Sequence, residues 1–118
     1  MSTSIVQNNA GFENGMIIHL LAFALPKSIV KDNEKVRVSI TSMPDGNKQH
    51  FTIEGKKMLN ANHVFSLNVT KQTKRIVFVF RKKILFSDNP IIASATIHLK
   101  DFKNIPHQQI KGGIIKTE

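Results

Sequence analysis

The amino-acid sequence predicts an all-β fold, an antiparallel β-sandwich of eight strands in one domain. Three observations support this prediction. Apolar and polar residues alternate with a period of two in several segments, which is typical of strands with one buried face. Turn-forming clusters separate these segments about every eight to twelve residues. The chain of 118 residues is 41% apolar, which suits one packed core and is too short for two domains.

The start of the chain is predicted to be a polar leader followed by the first strand. Residues 1–15 lack the basic start and apolar core of a signal peptide, and we expect a flexible leader before a domain over residues 16–118. The segment MIIHLLAFAL (16–25) suits a helix by composition alone. It ends at Pro26, however, and its apolar positions also fit a strand that opens a sheet.

A β-hairpin is predicted in the next part of the chain. In VRVSI (36–40), three β-branched residues share one face, whereas Arg37 and Ser39 share the other. The sequence MPDGN (43–47) is a strong Pro-Asp-Gly turn signal. The polar segment KQHFTIEGKK (48–57) is then expected to contain the returning strand.

Four later segments are also predicted to be strands. VFSLNVT (64–70) and ASATIHLK (93–100) alternate regularly. IVFVF (76–80) is apolar on both faces and too rich in β-branched and aromatic residues for a helix, so we expect it at the centre of a sheet. GGIIKT (112–117) is expected to form the last strand.

Positive charge is concentrated in one part of the chain. The net charge is +9, from 17 Lys and Arg against 8 Asp and Glu. Six cations without an acid lie between residues 71 and 83, namely Lys71, Lys74, Arg75, Arg81, Lys82 and Lys83. The last three interrupt FVFRKKILF (78–86), where we predict a loop at one end of a sheet. Such a concentration favours anionic partners, and a basic face that only keeps the domain soluble is the alternative.

Composition also excludes or disfavours several classes of function. The chain has no Cys, which excludes disulfides, thiolate metal sites and a thiol nucleophile. Its five His show no metal-ligand spacing and no catalytic or phosphate-loop motif occurs, so we predict no enzyme activity, no metal and no cofactor. Without Trp or Tyr for base stacking, nucleic acid is disfavoured as a partner. No apolar run is long enough to span a bilayer.

The order of these segments resembles a C2 domain over about residues 16–118. The resemblance is carried by LLAFALPKSI (20–29), NEKVRVSITSMPDGNKQHFTIEGKK (33–57), NANHVFSLNVT (60–70), KRIVFVF (74–80) and DNPIIASATIHLKDF (88–102). Phe65 stands at a Phe of the family pattern, and KRIVFVF is similar to the strand that leads into the third binding loop of that family. The resemblance implies a C2-like sandwich, and an immunoglobulin-like sandwich is the alternative.

The resemblance also implies a domain that does not bind calcium. In calcium-binding members, about five aspartates at one end hold the ion, because a hard divalent cation needs several anionic oxygens. Their places are taken here by residues without a carboxylate: Ile29, Asn33, Arg81, Lys83 and Asn89 or Pro90. Asp32 and Asp88 remain nearby but are out of register.

We therefore expect a calcium-independent docking module, cytoplasmic and peripheral to an anionic, phosphoinositide-bearing phospholipid membrane. The predicted lipid- or partner-binding residues are Arg81, Lys82, Lys83, Lys56, Lys57, Lys71, Lys74 and Arg75. Lys48 belongs with Lys56 and Lys57 to a basic group that resembles the lysine-rich concave face of some C2 domains. The alternative is a protein-interaction or scaffold module, the N-terminal domain of a longer cytoskeletal or coiled-coil protein, which uses the doubly apolar IVFVF strand or a sheet edge. An acidic protein is the alternative partner of the basic residues. Homo-oligomerisation is left open.

Overall fold

A computed structural model of the chain shows two antiparallel sheets and almost no helix, which confirms the all-β prediction. The structure describes residues 2–8, 14–44, 46–69, 72–84, 89–98, 107–111 and 116–117. Its strands are β1 (Ser2–Asn8), β2 (Asn14–Ala22), β3 (Lys35–Met43), β4 (Lys48–Glu54), β5 (His63–Val69), β6 (Arg75–Lys83), β7 (Ile91–His98), β8 (His107–Lys111) and β9 (Lys116–Thr117). A 3₁₀ helix, Gly55–Asn60, connects β4 to β5. The described residues thus form nine strands, and the predicted number of eight is not confirmed.

The strands form two sheets that share one core. Sheet A has the order β5-β2-β1-β8, and sheet B has the order β4-β3-β6-β7-β9. β6 lies between β3 and β7, which confirms the central position predicted for IVFVF. The segment at residues 16–25 contributes most of β2, so the strand interpretation is correct and the helix interpretation is wrong there.

The core lies between the two sheets and is rich in aromatic side chains. Phe65 of sheet A packs edge-on to Phe78 of sheet B, with ring centroids 6.3 Å apart. Phe23, which follows β2, packs against Phe80 at 4.9 Å. All four rings are essentially excluded from solvent. Burying a Phe side chain contributes roughly 1.5–3 kcal/mol, so this cluster stabilises the contact between the sheets.

The β3–β4 hairpin turns where the sequence predicts. The Gly46 N–H donates to the Ser42 carbonyl at 2.7 Å, and the Ser42 N–H donates to the Asn47 carbonyl at 2.9 Å. Gly46 has a φ of 83°, a left-handed conformation that glycine adopts without a Cβ penalty. The turn therefore sets the register of β3 against β4.

Two segments differ from the sequence prediction. Ser2–Asn8, within the predicted flexible leader, forms β1 and pairs with both β2 and β8. Its β-branched residues favour extended backbone, and β2 offers unpaired backbone groups at that edge. In the predicted strand 48–57, β4 ends at Glu54, and Lys56 and Lys57 belong to the 3₁₀ helix. Where the strand gives way to the helix, the Gly55 N–H donates to the Glu34 carbonyl, in the loop before β3, at 2.8 Å.

Candidate functional site

The three adjacent cations of FVFRKKILF lie in a strand, so the predicted loop at this position is wrong. β6 continues to Lys83, because β3 runs beside it and supplies ladder partners. In this antiparallel register Arg81 lies opposite Arg37, and Lys83 lies opposite Lys35. Two pairs of like charges therefore face each other across neighbouring strands.

The alternation of β6 separates the three cations. Ile76, Phe78 and Phe80 are buried toward the core, so Arg81 belongs to the opposite, outer face of sheet B. Lys82 follows the register of Phe80 and lies at the core-side edge of the strand. The predicted cluster of three cations is therefore divided between two faces.

Lys82 is engaged in an ion pair and is not free to bind a ligand. Its Nζ lies 2.7 Å from Oε2 of Glu34, in the loop before β3. The hydrogen bond from Lys82 and then the one from the backbone N–H of Lys31, at 2.9 Å, lower the pKa of Glu34. Residues 71–83 contain no acid, but Glu34, from the loop before β3, supplies one to Lys82 in the folded chain.

A depression of about 340 Å³ lies on the outer face of sheet B, and we take it as the candidate site. It is lined by Arg37, Ser39, Lys48, Arg81 and Asn89. Ser39 is only 2% exposed although it belongs to the outer register of β3. Its small side chain forms the floor, and the longer side chains on both sides form the walls.

An irregularity between β6 and β7 brings Asn89 to this site. The register shifts between Phe80 and Arg81, so that Arg81 lies opposite Ile91. The Asn89 side-chain carbonyl accepts a hydrogen bond from the Ile84 N–H at 3.1 Å, and the Pro90 carbonyl accepts one from the Lys82 N–H at 3.1 Å. Because its oxygen is engaged in this way, Asn89 keeps amide N–H donors for a ligand.

The electrostatics of the depression favour an anion. Arg37, Lys48 and Arg81 contribute three cations, and no acid is found among the lining residues that the structure describes. Within the described residues neither arginine forms an ion pair. Arginine donors suit the oxygens of a phosphate, and the Ser39 hydroxyl and Asn89 amide add neutral donors.

The remaining predicted residues lie outside this depression. Lys56 and Lys57 are exposed on the 3₁₀ helix, at the end of the domain where Lys83 is found. Lys74 and Arg75 lie at the other end of β6, about 26 Å from Lys83 along an extended strand. Lys71 lies outside the described residues. The structure thus divides the predicted set between two ends of the domain.

Arg37, Ser39 and Asn89 were not predicted as site residues. The alternation in VRVSI indicates that Arg37 and Ser39 share an outer face, but it gives no partner strand. Their signal is the combination of a long cation and a small polar residue two positions apart on a strand. Asn89 carries no such signal, since its position depends on the β6–β7 connection.

Two further kinds of feature are absent from the described part of the chain. There, no group of three or more acidic or histidine side chains is arranged to hold a metal ion. No helix among these residues has the length and apolar character needed to cross a membrane.

No protein-family model, curated protein or solved structure matches this chain. The site is therefore interpreted from its own geometry and charge.

Proposed function

We propose that this chain is a calcium-independent, C2-like docking module that binds anionic membrane surfaces at the cytoplasmic face. The depression formed by Arg37, Ser39, Lys48, Arg81 and Asn89 is the site of the headgroup phosphate, including that of a phosphoinositide. The two-sheet all-β architecture supports the C2-like part of the proposal. The cations beside the β6–β7 connection support calcium independence, because they repel a divalent cation.

The single observation that carries the proposal is the pairing of Arg37 with Arg81. Like charges directly opposite each other in a sheet are destabilising. An anion between the two guanidinium groups converts this repulsion into attraction for both. Lys48 at the same depression strengthens the field. A docked phosphate would therefore be attracted by two arginines that repel each other in the free domain.

The expected binding is weak and reversible. Each Lys or Arg near an anionic surface contributes about 1 kcal/mol, so three cations give about 3 kcal/mol at low salt. This attraction decays within a Debye length of about 8 Å at physiological ionic strength. Docking should therefore weaken steeply as salt is added.

Vesicle co-sedimentation tests the proposal. The protein is mixed with phosphatidylcholine vesicles, with and without phosphatidylserine or a phosphoinositide, in EGTA and then in calcium, at low and high salt. The double variant Arg37→Gln/Arg81→Gln removes the cations of the depression. The matched control, Lys74→Gln/Arg75→Gln, removes the same charge from the far end of β6.

The proposal expects binding in EGTA that fades with salt, is unchanged by calcium, and is lost only in the Arg37/Arg81 variant. Equal losses in both double variants would mean that net charge alone drives adsorption. Binding that requires calcium would contradict the proposed mechanism.

A protein-interaction module remains the second candidate. The observation that favours it is the pair of exposed apolar side chains on sheet A, Ile17 at 38% and Val64 at 55% exposure. They lie on adjacent strands, β2 and β5, away from the basic depression. Failure of the protein to bind any vesicle would favour this second function, with a protein partner at the apolar face of sheet A or an acidic protein at the basic depression.

A further inference from the structure

The exposed apolar side chains are concentrated at one end of the domain. Of the five large apolar residues exposed within the described chain, Leu59, Ile84 and Ile91 lie at the end where β6 finishes and β7 begins. Leu59 is the most exposed of them, at 76%. A leucine held so far into solvent is a candidate contact for an apolar phase.

Leu59 is presented by a helix that the fold holds in place. The Gly55 N–H donates to the Glu34 carbonyl at 2.8 Å, and the Phe23 N–H donates to the Met58 carbonyl at 2.9 Å. Met58, directly before Leu59, is buried at 8% exposure and anchors the helix in the core. Because these contacts fix the helix at Gly55 and at Met58, the backbone directs Leu59 outward.

Positive charge surrounds this apolar end. The segments 31–35, 54–57 and 82–83 meet there and together carry six lysines against three acids. Two of the acids are already paired: Glu54 with Lys56 at 3.3 Å and Glu34 with Lys82 at 2.7 Å. An exposed leucine two residues from Lys57, at an end of the domain where lysines exceed acids, matches the boundary between anionic headgroups and acyl chains.

We propose that the 3₁₀ helix is a membrane-inserting tip, in which Leu59 enters the acyl boundary and Lys57 contacts the headgroups, while Lys56 stays paired with Glu54. This inference rests on the proposed membrane function and adds a second contact with its own orientation. Arg81 lies opposite Ile91, so the depression and the tip adjoin the same end of the domain. The domain would therefore dock by this end, with the outer face of sheet B tilted toward the lipid.

The absence of Trp from the chain allows a direct test. The single Trp of Leu59→Trp reports the tip, and that of His98→Trp reports the far end of β7, about 23 Å from Ile91 along the strand. Both positions are exposed, so neither substitution disturbs the core. Each variant is mixed with phosphatidylserine-containing vesicles whose lipids carry unlabelled or brominated acyl chains, and binding is followed in parallel by co-sedimentation.

The inference expects a blue shift and bromine quenching for Leu59→Trp and neither effect for His98→Trp. It also expects Leu59→Ser to weaken vesicle binding about tenfold while thermal stability is unchanged. If the vesicles bind the protein, but Leu59→Trp is unquenched and Leu59→Ser binds normally, the tip is wrong and the proposed function stands. If no vesicle binds either variant or the unsubstituted chain, both proposals are overturned.

Discussion

Replacing Arg81 by Gln should stabilise the free domain and weaken its binding to anionic membranes. Arg81 faces Arg37 across the β3–β6 pair, and none of the described residues that line the depression is acidic. Gln keeps most of the length of the side chain and removes its charge. The two measurements should therefore move in opposite directions, which is unusual for a substitution in a half-buried strand.

The magnitudes follow from the geometry of the pair. Favourable cross-strand pairs contribute roughly 0.2–1 kcal/mol and directly opposed like charges destabilise a sheet; taking a repulsion of similar size, relief of one pair should add about 0.5 kcal/mol to the free energy of unfolding. For a domain of this size that corresponds to a rise in Tm of about 2 °C. Loss of one cation from an anionic surface removes about 1 kcal/mol of attraction, roughly a fivefold loss of vesicle affinity.

Arg75→Gln is the matched control for this comparison. Arg75 is the same residue type on the same strand and in the same outward register, but its cross-strand neighbours are Met43 and His98 instead of a second arginine. Thermal unfolding is recorded for both variants and for the unsubstituted chain, with and without pyrophosphate as a soluble substitute for the headgroup phosphate, at constant ionic strength. Vesicle binding is recorded in EGTA. The rise in Tm should occur only in Arg81→Gln. The stabilisation that pyrophosphate gives to the unsubstituted chain should likewise be lost only in that variant.

Two results would refute the reasoning about Arg81. A lower Tm in Arg81→Gln than in Arg75→Gln would mean that Arg81 stabilises the free fold, so that the arginine pair holds no repulsion to be relieved. Equal vesicle affinities for the two variants would mean that the depression does not contact the membrane.

Three further predictions concern stability. The hydrogen bond from Lys82 lowers the pKa of Glu34, so the contribution of this ion pair to the free energy of unfolding is complete above pH 4.5 and is lost as the pH falls below it. Glu34→Gln should therefore make the urea midpoint less dependent on pH over that acidic range. Burial, and then the charge of His19, lowers the pKa of His63, so folding should weaken as the pH falls through 6.5. His63→Phe should remove that dependence in thermal unfolding while keeping the stack on Phe51, now at 3.9 Å. Gly55→Ala places a Cβ against the Lys31 carbonyl and should cost about 2 kcal/mol in chemical denaturation, whereas Lys57→Ala should cost little.

The sequence contains enough information to predict much of sheet B. Alternation assigns Val36, Val38 and Ile40 to one face of β3, and all three are buried. The doubly apolar IVFVF is central, as expected of a strand flanked on both sides. These predictions succeed because local pattern and burial are directly related in a strand of fixed period.

The candidate site could not be predicted, because alternation determines a face and not a register. A shift of two residues in the β3–β6 pairing would leave the same side chains buried, yet it would place Arg37 opposite Val79 or Lys83. The end of β6 was missed for a related reason: three adjacent cations resemble a loop, but β3 extends far enough to pair with them. Gly55 was the available signal for the end of β4, since glycine within a strand pattern often marks its interruption.

The features of the depression conflict with the rules that stabilise a sheet, and the conflicts coincide in space. Ser39 places a buried hydroxyl on the outer face of β3, two residues from Arg37, which lies opposite Arg81, and a register shift adjoins Arg81. Each feature alone is tolerated in stable domains. Together at one place, in a sheet whose other positions follow the expected pattern, they are what a binding site requires: a small floor, charged walls and a connection that brings in a donor. The same reasoning explains why the stability gained by Arg81→Gln should be accompanied by a loss of binding.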